Sequence, residues 1–264
     1  MTRLAALVSA CTAAAGMLCM GAPCAAQDAP ASIARALRIL REMEQVLDAV
    51  LARQEAARTQ AARPSAPPEG NGWTLLFDGE ALGRWKRTEF AGGGEVRVER
   101  RFRGDGPAIV IGMGATLSGI HWTGDVPRTN YEIALEGMKL EGNDFWCGLT
   151  FPVGDSHASL ILGGWGGGVV GISSIDNRDA SENETTRYMD FPRDRWRRVL
   201  LRVTPNRLEA WLDDQKIVDQ DIRGRKISLR PGEISRSVPL GIATYMTTAA
   251  HRNIRIRQLR GPGG

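Results

Sequence analysis

The chain has 264 residues and a formal net charge of +4, with 42% apolar and 24% charged side chains. These proportions are ordinary for a soluble globular protein, and the length allows one sizeable domain with its own core. The basic residues are spread out and mostly alternate with acidic ones, so no stripe that would follow a phosphate backbone is evident. We therefore expect no nucleic-acid partner.

The first 26 residues have the pattern of a secretory signal peptide. Arg3 gives a positive start, an apolar run from Leu4 to Gly21 follows, and Pro23 to Ala26 offers a small-residue cleavage site before Gln27. This pattern predicts an exported protein, periplasmic or extracellular. Two alternatives remain open: an uncleaved membrane anchor, because the apolar run approaches spanning length, and lipidation at Cys11.

Cleavage after Ala26 would leave only one cysteine, Cys147. The mature chain would then have no internal disulfide, although an exported protein meets an oxidising environment. Cys147 lies in the middle of an apolar strand pattern. We therefore expect it to be a small core residue and not a nucleophile.

The segment 27–62 is predicted to contain an amphipathic helix, about 45 Å long at 1.5 Å per residue, that starts at Ser32. Its apolar side chains form two adjacent rows, Ile33, Leu37, Leu40, Leu47 and Leu51 beside Ile39, Met43, Val46 and Val50. This face needs a partner. Either copies of the helix associate as a short coiled coil, which we favour, or the helix lies on the main domain. A proline-rich linker, residues 63–71, follows.

From residue 72 onward, short apolar or alternating segments are separated by Gly, Pro, Asn and Asp. About a dozen such segments without a convincing helix predict an all-β fold, an antiparallel sandwich or jelly roll. Tight turns at Pro205-Asn206 and Asp213-Asp214 predict a meander. The predicted strands are Trp73–Phe77, Glu95–Glu99, Ala108–Gly112, Tyr131–Leu140, Phe145–Phe151, Ala158–Leu162, Val169–Ile175, Trp196–Thr204, Arg207–Asp213, Lys216–Asp219, Leu240–Thr244 and Ile254–Leu259.

The stretch from Asn143 to Tyr188 is the most informative part of this region. At its centre Trp165 has glycines on both sides, in the sequence Gly163-Gly164-Trp165-Gly166-Gly167-Gly168. Glycines let backbone approach closely and leave the indole with little cover. An uncovered aromatic face suits stacking on a sugar ring. The alternative is that Trp165 fills the core and the glycines only bend a strand.

Three motifs are similar to those of the 3-keto-disaccharide hydrolase (DUF1080) family. Residues 72–85, GWTLLFDGEALGRW, resemble its opening G-F-x-x-L-F-(D/N)-G-x-x-L-x-x-W, and residues 252–259, RNIRIRQL, resemble its closing strand. Residues 194–219 resemble its W-(N/H)-x-x-x-I-x-V…V-W-(L/V)-(N/D)-G-x-x-V-x-D hairpin. The resemblance covers residues 72–260. It implies a concanavalin A-like sandwich, exported by a bacterium, that hydrolyses 3-keto-glycosides.

The middle of the chain differs from the family pattern. A G-N-S-G-(I/V)-x-x-R strand and a (Y/F)-E-x-(Q/E)-I-x-D strand are expected there. This chain instead has GNDFWCGLTF at residues 142–151 and SLILG at residues 159–163. The strand arginine and the strand glutamate of the family are therefore both absent.

The implied reaction needs a base for the C2 proton of a 3-keto sugar, a cation for the enolate oxygen and an acid for the leaving oxygen. We predict His157 as the base, Arg187 as the cation, and Asp144 or Glu184 as the acid. Each of them, taken alone, is more often a polar residue in a surface loop. Substrate binding is predicted at Trp146, Trp165, Tyr188 and Asp176.

One loop is considered as a calcium site, and no other metal site is predicted. The loop from Asp176 to Glu184 carries the oxygen ligands that calcium takes, although it lacks the glycine and spacing of an EF-hand. Three functions remain open. The first is an enzyme that cleaves 3-keto-glycosides, the second a non-catalytic carbohydrate-binding sandwich with exposed tryptophans, and the third an envelope scaffold that binds protein.

Overall fold

A computed structural model of the chain describes residues 35–36, 38–51 and 72–259. The predicted signal peptide (1–26) and linker (63–71) lie outside these residues. The chain divides into two compact units, Met1–Ala57 and Arg58–Gly264. Each unit is described by itself.

The first unit contains one helix, α1, which covers residues 35–36 and 38–51. These residues lie within the predicted helix, and its two ends fall outside the described part. Seven large apolar side chains of α1 are 44–64% exposed, namely Ile39, Leu40, Met43, Val46, Leu47, Val50 and Leu51. No helix among the described residues is long and apolar enough to cross a membrane.

The second unit is built from strands and two short 3-10 turns, Phe102–Gly104 and Glu233–Ser237. The strands are β1 (Thr74–Leu75), β2 (Trp85–Arg87), β3 (Val96–Glu99), β4 (Ala108–Ile111), β5 (Leu117–Trp122), β6 (Tyr131–Gly142), β7 (Cys147–Val153), β8 (Ser156–Gly164), β9 (Val169–Ser173), β10 (Arg187–Tyr188), β11 (Arg197–Val203), β12 (Arg207–Leu212), β13 (Gln215–Asp221), β14 (Gly241–Tyr245) and β15 (Thr247–Gln258).

The strands form two antiparallel sheets. The first sheet has the order β13-β12-β11-β6-β15-β4-β3, with β1 paired to β15, and the second has the order β10-β9-β8-β7-β14-β5-β2. The long strands β6 and β15 lie side by side at the centre of the first sheet, so the closing strand is anchored in the middle of the domain. The expected all-β, antiparallel concanavalin A-like sandwich is confirmed.

The core lies between the two sheets because side chains alternate along each strand. On β8, Ala158, Leu160 and Leu162 belong to the main apolar cluster. Ser159 and Ile161, between them, line a groove on the outer face of the second sheet. The alternation along the strand thus places the residues that hold the two sheets together on one face and the residues that line the groove on the other.

All twelve predicted strands overlap observed ones, and both predicted turns of the meander are present. The N–H of Thr204 donates to the carbonyl of Arg207 over 3.0 Å, and Asp213 has a φ of 54°. Three strands were not predicted. Two of them, β2 and β10, are only three and two residues long. The third, β5, includes a serine and a glycine that weaken its apolar pattern.

Candidate functional site

A groove of about 430 Å³ lies on the outer face of the second sheet. Strands β8, β9, β5 and β14 contribute to it, together with the turn before β7, the turn after β8 and the segment 230–234. It therefore brings together parts of the chain that are far apart in sequence. Its lining consists of Leu117, Asp144, Phe145, Ser159, Ile161, Trp165, Ser173, Asp179, Arg230, Pro231, Glu233, Ile234 and Tyr245.

Trp165 lies at the tip of the turn that joins β8 to β9. Its φ is 48°, and the next two residues, Gly166 and Gly167, also have positive φ. Glycine adopts this conformation without steric cost, so the two glycines allow the turn to be this tight. The indole is 42% exposed. It therefore borders the groove with a free aromatic surface and does not fill the core.

Asp144 lines the groove and holds the Trp165 turn in place. Its Oδ2 accepts the N–H of Gly166 over 3.0 Å, and its Oδ1 accepts the N–H of Phe145 over 2.8 Å. Its own N–H donates to the Thr247 hydroxyl over 3.1 Å. Since both carboxylate oxygens already accept backbone hydrogen bonds, Asp144 is better placed to position Trp165 than to donate a proton.

Asp179 fixes the arginine of the groove. Its Oδ2 is 2.7 Å from Nη1 of Arg230, and the Asp179 side chain is only 15% exposed. Its Oδ1 accepts the N–H of Ala180 over 3.0 Å and the hydroxyl of Ser173. The guanidinium carbon of Arg230 lies 5.7 Å from the centre of the Trp165 ring. The cation is thus held between a carboxylate and an aromatic face.

Glu233 is the most loosely held carboxylate of the groove. Both of its oxygens are 3.3 Å from the backbone nitrogen of Ala91. Its nearest cation is Arg236, at 3.6 Å, and its own side chain is 33% exposed. These contacts are long compared with those of Asp144 and Asp179. Glu233 is therefore the carboxylate that can approach and accept a proton from a ligand.

Trp146 does not belong to the groove. It is 1% exposed, its ring centre lies 5.6 Å from that of Phe191, and it stacks on His251. A Cβ on Gly137 would come within 2.4 Å of the indole. The prediction that Trp146 is a stacking platform is therefore wrong, because the ring is part of the core. Next to it, Cys147 is buried as expected, and burial raises the pKa of its thiol to about 12.

Glu184 and Asp176 share one arginine and do not line the groove. Arg225 lies 2.5 Å from Glu184 and 2.6 Å from Asp176. Its hydrogen bond lowers the pKa of Glu184. The pKa of Asp176 is lowered by the N–H of Lys226 and then by Arg225. The two carboxylates are therefore engaged in ion pairs and are not available as an acid or a sugar-binding group.

The calcium hypothesis for this loop does not fit the donors that the structure places there. Asp176 and Glu184 face Arg225, while Asp179 faces Arg230. Within residues 35–36, 38–51 and 72–259, no group of three His, Cys, Asp or Glu side chains could hold a metal ion. The loop is held by arginines where a cation site would need free oxygens.

The other three predicted residues, His157, Arg187 and Tyr188, do not line the groove. Arg187 and Tyr188 are exposed on β10, the edge strand of the second sheet. His157 pairs across strands with Pro152 and is half-buried, on the same face of β8 as Ser159 but two residues away. Burial, and then the charge of Arg128, lowers the pKa of His157. The predicted base, cation and acids therefore do not meet in one cavity.

Of the thirteen residues that line the groove, only Asp144 and Trp165 were predicted as site residues. The residues that were missed include the charged Asp179, Arg230 and Glu233 and the aromatic Tyr245. Asp179 stands in the loop that was considered for calcium, but nothing in the sequence pairs it with Arg230, 51 residues later. The segment Arg230-Pro231-Gly232-Glu233 reads as an ordinary turn. Only the packing of this segment over the sheet makes its charges part of a site.

An antiparallel sandwich with an open, aromatic-edged groove on one sheet is an arrangement suited to a saccharide. The groove therefore fits a carbohydrate-active domain. The family comparison agrees with this class. Residues 72–257 match the model of the 3-keto-alpha-glucoside-1,2-lyase-like domain, and the chain belongs to this family. The resemblance inferred from the motifs at the two ends of the domain is thereby confirmed.

Comparison with the curated proteins found no match. Among solved structures, a candidate glycosyl hydrolase from Parabacteroides distasonis is 17% identical, with 72% of this chain and 94% of that chain covered and a TM-score of 0.45. The carbohydrate-binding module CBM66 from Bacillus subtilis is 14% identical, with 66% and 96% covered and a TM-score of 0.45. The Crh5 transglycosylase in complex with NAG is 10% identical, with 72% and 85% covered and a TM-score of 0.48. These likenesses are distant, and no functional argument is drawn from them.

Proposed function

We propose that the protein cleaves 3-keto-glycosides by elimination across C1 and C2 of the oxidised sugar. The observation that carries this proposal is the groove itself, in which an aromatic face, a fixed cation and a loosely held carboxylate line one cavity. Membership of the 3-keto-alpha-glucoside-1,2-lyase-like family supports the same chemistry. Addition of water to the product would make the overall reaction a hydrolysis.

The first step is removal of the C2 proton. The ketone at C3 makes this proton acidic, and a carboxylate is a sufficient base when a positioned donor holds the enolate oxygen. In our proposal Trp165 stacks on the sugar ring, Glu233 takes the C2 proton, and Arg230 donates to the C3 oxygen as negative charge develops there. Asp179 keeps the guanidinium in place.

The second step breaks the bond between C1 and the glycosidic oxygen. The electron pair of the enolate forms the double bond between C1 and C2, the C3 ketone is restored, and the leaving oxygen takes the proton from Glu233 or from water. No oxidant or reductant is needed, because the sugar enters already oxidised. The groove is open to solvent, so water can add to C1 afterwards and release the free 3-keto sugar.

The test is turnover of 3-keto-trehalose and of a 3-keto-glucoside by the purified protein, with the parent sugars as controls. Release of the leaving sugar from the 3-keto substrates alone is the expected result. Exchange of the C2 hydrogen with deuterated water, followed by NMR, would report the first step directly. Absence of both turnover and exchange would overturn the proposal.

A second candidate function is carbohydrate binding without catalysis. The exposed indole of Trp165 at the edge of an open groove favours it, since this feature alone would hold a sugar. Retention on immobilised glycan that is lost in Trp165→Ala, without turnover of any 3-keto-glycoside, would identify this function. Export is proposed from the leader pattern only, and fractionation of the native cell would test it.

A further inference from the structure

The groove has an excess of negative charge. Three carboxylates belong to its lining, Asp144, Asp179 and Glu233, against one cation, Arg230. Asp179 and Arg230 form a close ion pair at 2.7 Å and offset each other in charge, although the Arg230 side chain is 59% exposed and water screens this contact too. The charge that a ligand meets is therefore that of the remaining two carboxylates.

These two carboxylates are only weakly compensated. Asp144 accepts backbone N–H groups and has no ion-pair partner within the described residues. Glu233 has Arg236 at 3.6 Å, and the Arg236 side chain is 55% exposed, so water screens that pair. Backbone N–H dipoles and the hydrated Arg236, 3.6 Å from Glu233, reduce the negative potential without removing it.

The surroundings of the two carboxylates strengthen their field. Much of the rest of the lining is apolar, with Leu117, Phe145, Ile161 and Ile234 among its members. Apolar walls keep the local dielectric constant low, and a cleft lined by charge of one sign focuses the field on a ligand inside it. The two carboxylates therefore interact more strongly with a charged group on a bound sugar than they would on an open surface.

Arg230 offers an anion a less favourable site than the two carboxylates offer a cation. Its Nη1 is bound to Asp179, and its guanidinium lies beside the Trp165 ring. A carboxylate on a ligand would have to compete with Asp179 for this arginine while it approached Asp144 and Glu233. Arg230 can still donate to the C3 oxygen, where negative charge develops only after a neutral sugar has bound, whereas a carboxylate brings its full charge into the groove.

We propose that the groove prefers glycosides that carry a protonated amine and discriminates against those that carry a carboxylate. The ammonium group would lie nearer Asp144, in the field of both carboxylates and beside an aromatic edge, so that Glu233 stays free to accept the C2 proton. This inference rests on the proposed function for the location of the site, and it names the substrate class. It concerns binding and is independent of turnover.

The experiment uses three glucosides with the same sugar and aglycones of similar size: 2-aminoethyl, 2-hydroxyethyl and carboxymethyl glucoside. Their dissociation constants for the full chain are measured by calorimetry or NMR titration at low and high salt. We expect the amine to bind about 5- to 10-fold more tightly than the neutral glucoside and the carboxylate more weakly by a similar factor. Both differences should shrink as salt screens the charges.

Glu233→Gln and Asp144→Asn should each reduce the preference for the amine about 3-fold or more, because each removes one of the two charges. Asp214→Asn is the matched control. Asp214 is 90% exposed and lies in the turn after β12, in the other sheet, so its removal should leave the preference unchanged. An unchanged preference in both groove variants would overturn the assignment to these residues.

The outcomes separate this inference from the proposed function. Equal affinities for the three glucosides, tighter binding of the carboxymethyl glucoside, or no binding of any of them would overturn the charge preference. Any of these results is compatible with turnover of 3-keto-glycosides. The expected order of affinities without turnover of any 3-keto-glycoside would instead remove the enzyme and leave a cation-selective saccharide site.

Discussion

The Nη1 of Arg230 and the Oδ2 of Asp179 lie 2.7 Å apart at the edge of the groove. This contact fixes a long, rotatable side chain at the place where an enolate oxygen would form. We expect Asp179→Asn to lower kcat/KM for a 3-keto-glycoside about 10-fold or more, since a donor that is free to rotate stabilises the transition state less well. The loss should appear in kcat, because Trp165 still binds the sugar.

A different result would change the role of this pair. If Asp179→Asn raised KM and left kcat unchanged, Arg230 would bind the sugar in its ground state without stabilising the transition state. Kinetics on Arg230→Lys complete the comparison. A lysine keeps the charge but not the planar, two-pronged donor geometry, so it should restore only part of the rate.

Glu233→Gln should remove the base while keeping the shape of the groove. We expect kcat to fall by about 10²- to 10⁴-fold, with exchange of the C2 hydrogen lost in parallel. His157→Ala is the decisive companion, because sequence reasoning named His157 as the base and the histidine does not line the groove. Full activity in Glu233→Gln together with loss in His157→Ala would reverse the assignment.

The two tryptophans of the central stretch should respond to substitution in opposite ways. Trp165→Ala should weaken sugar binding by about 1 kcal/mol and leave the free energy of unfolding nearly unchanged, because the ring is 42% exposed. Trp146→Ala should cost about 3–5 kcal/mol of stability through the cavity it creates. Denaturant unfolding and glycan affinity, measured on both variants, would test these two expectations. A stable Trp146→Ala protein would contradict the core assignment.

The stability of the domain should fall in mild acid because of His251. Its ring is fully buried, and burial lowers its pKa from 6.5 to about 4. Between these two values the unfolded chain binds a proton that the folded chain does not. The free energy of unfolding should therefore decrease as the pH falls from 6.5 to 4, by up to about 3 kcal/mol from this residue.

The measurement is denaturant unfolding as a function of pH. His251→Leu changes the packing, so the comparison concerns the pH slope and not the absolute stability. His251→Leu should lose the decrease in unfolding free energy that His251 causes between pH 6.5 and 4. The control variant His121→Asn, on the outer face of the second sheet, should keep this decrease. An identical slope in wild type and His251→Leu would show that the buried imidazole does not contribute.

The apolar face of α1 should drive self-association of the chain. Seven exposed apolar side chains on one helix need a partner in water. We expect sedimentation to show an oligomer that Met43→Glu, in the middle of this face, converts to a monomer. Arg41→Glu, on the polar side, is the control and should remain oligomeric. A wild-type monomer would end this proposal.

Much of the fold could be predicted from the sequence because the signal for a strand is local. A half-buried strand alternates in polarity, and residues such as Arg207 to Leu212 show this alternation without knowledge of their neighbours. Strand β10 could not be found in this way, since both of its residues are exposed and only its pairing with β9 defines it.

The site was predicted only where its residues lie beside a marked local pattern. Trp165 and Asp144 were found because the glycine-rich turn singles out the first and the neighbouring strand the second. Arg230 and Glu233 belong to the groove through long-range packing, which no local pattern reports. Glu184 was misplaced for the converse reason, because its charge looks catalytic in sequence and is neutralised by Arg225 in space.

The alternation along β8 also bears on how this chain can change over time. Ser159 and Ile161 face the groove, while Ala158, Leu160 and Leu162 face the core. A substitution at one set leaves the packing of the other largely untouched. Mutations that change ligand preference are therefore limited by the smaller apolar cluster of Ile161, Val169 and Ala180 on the groove side and not by the main core between the sheets.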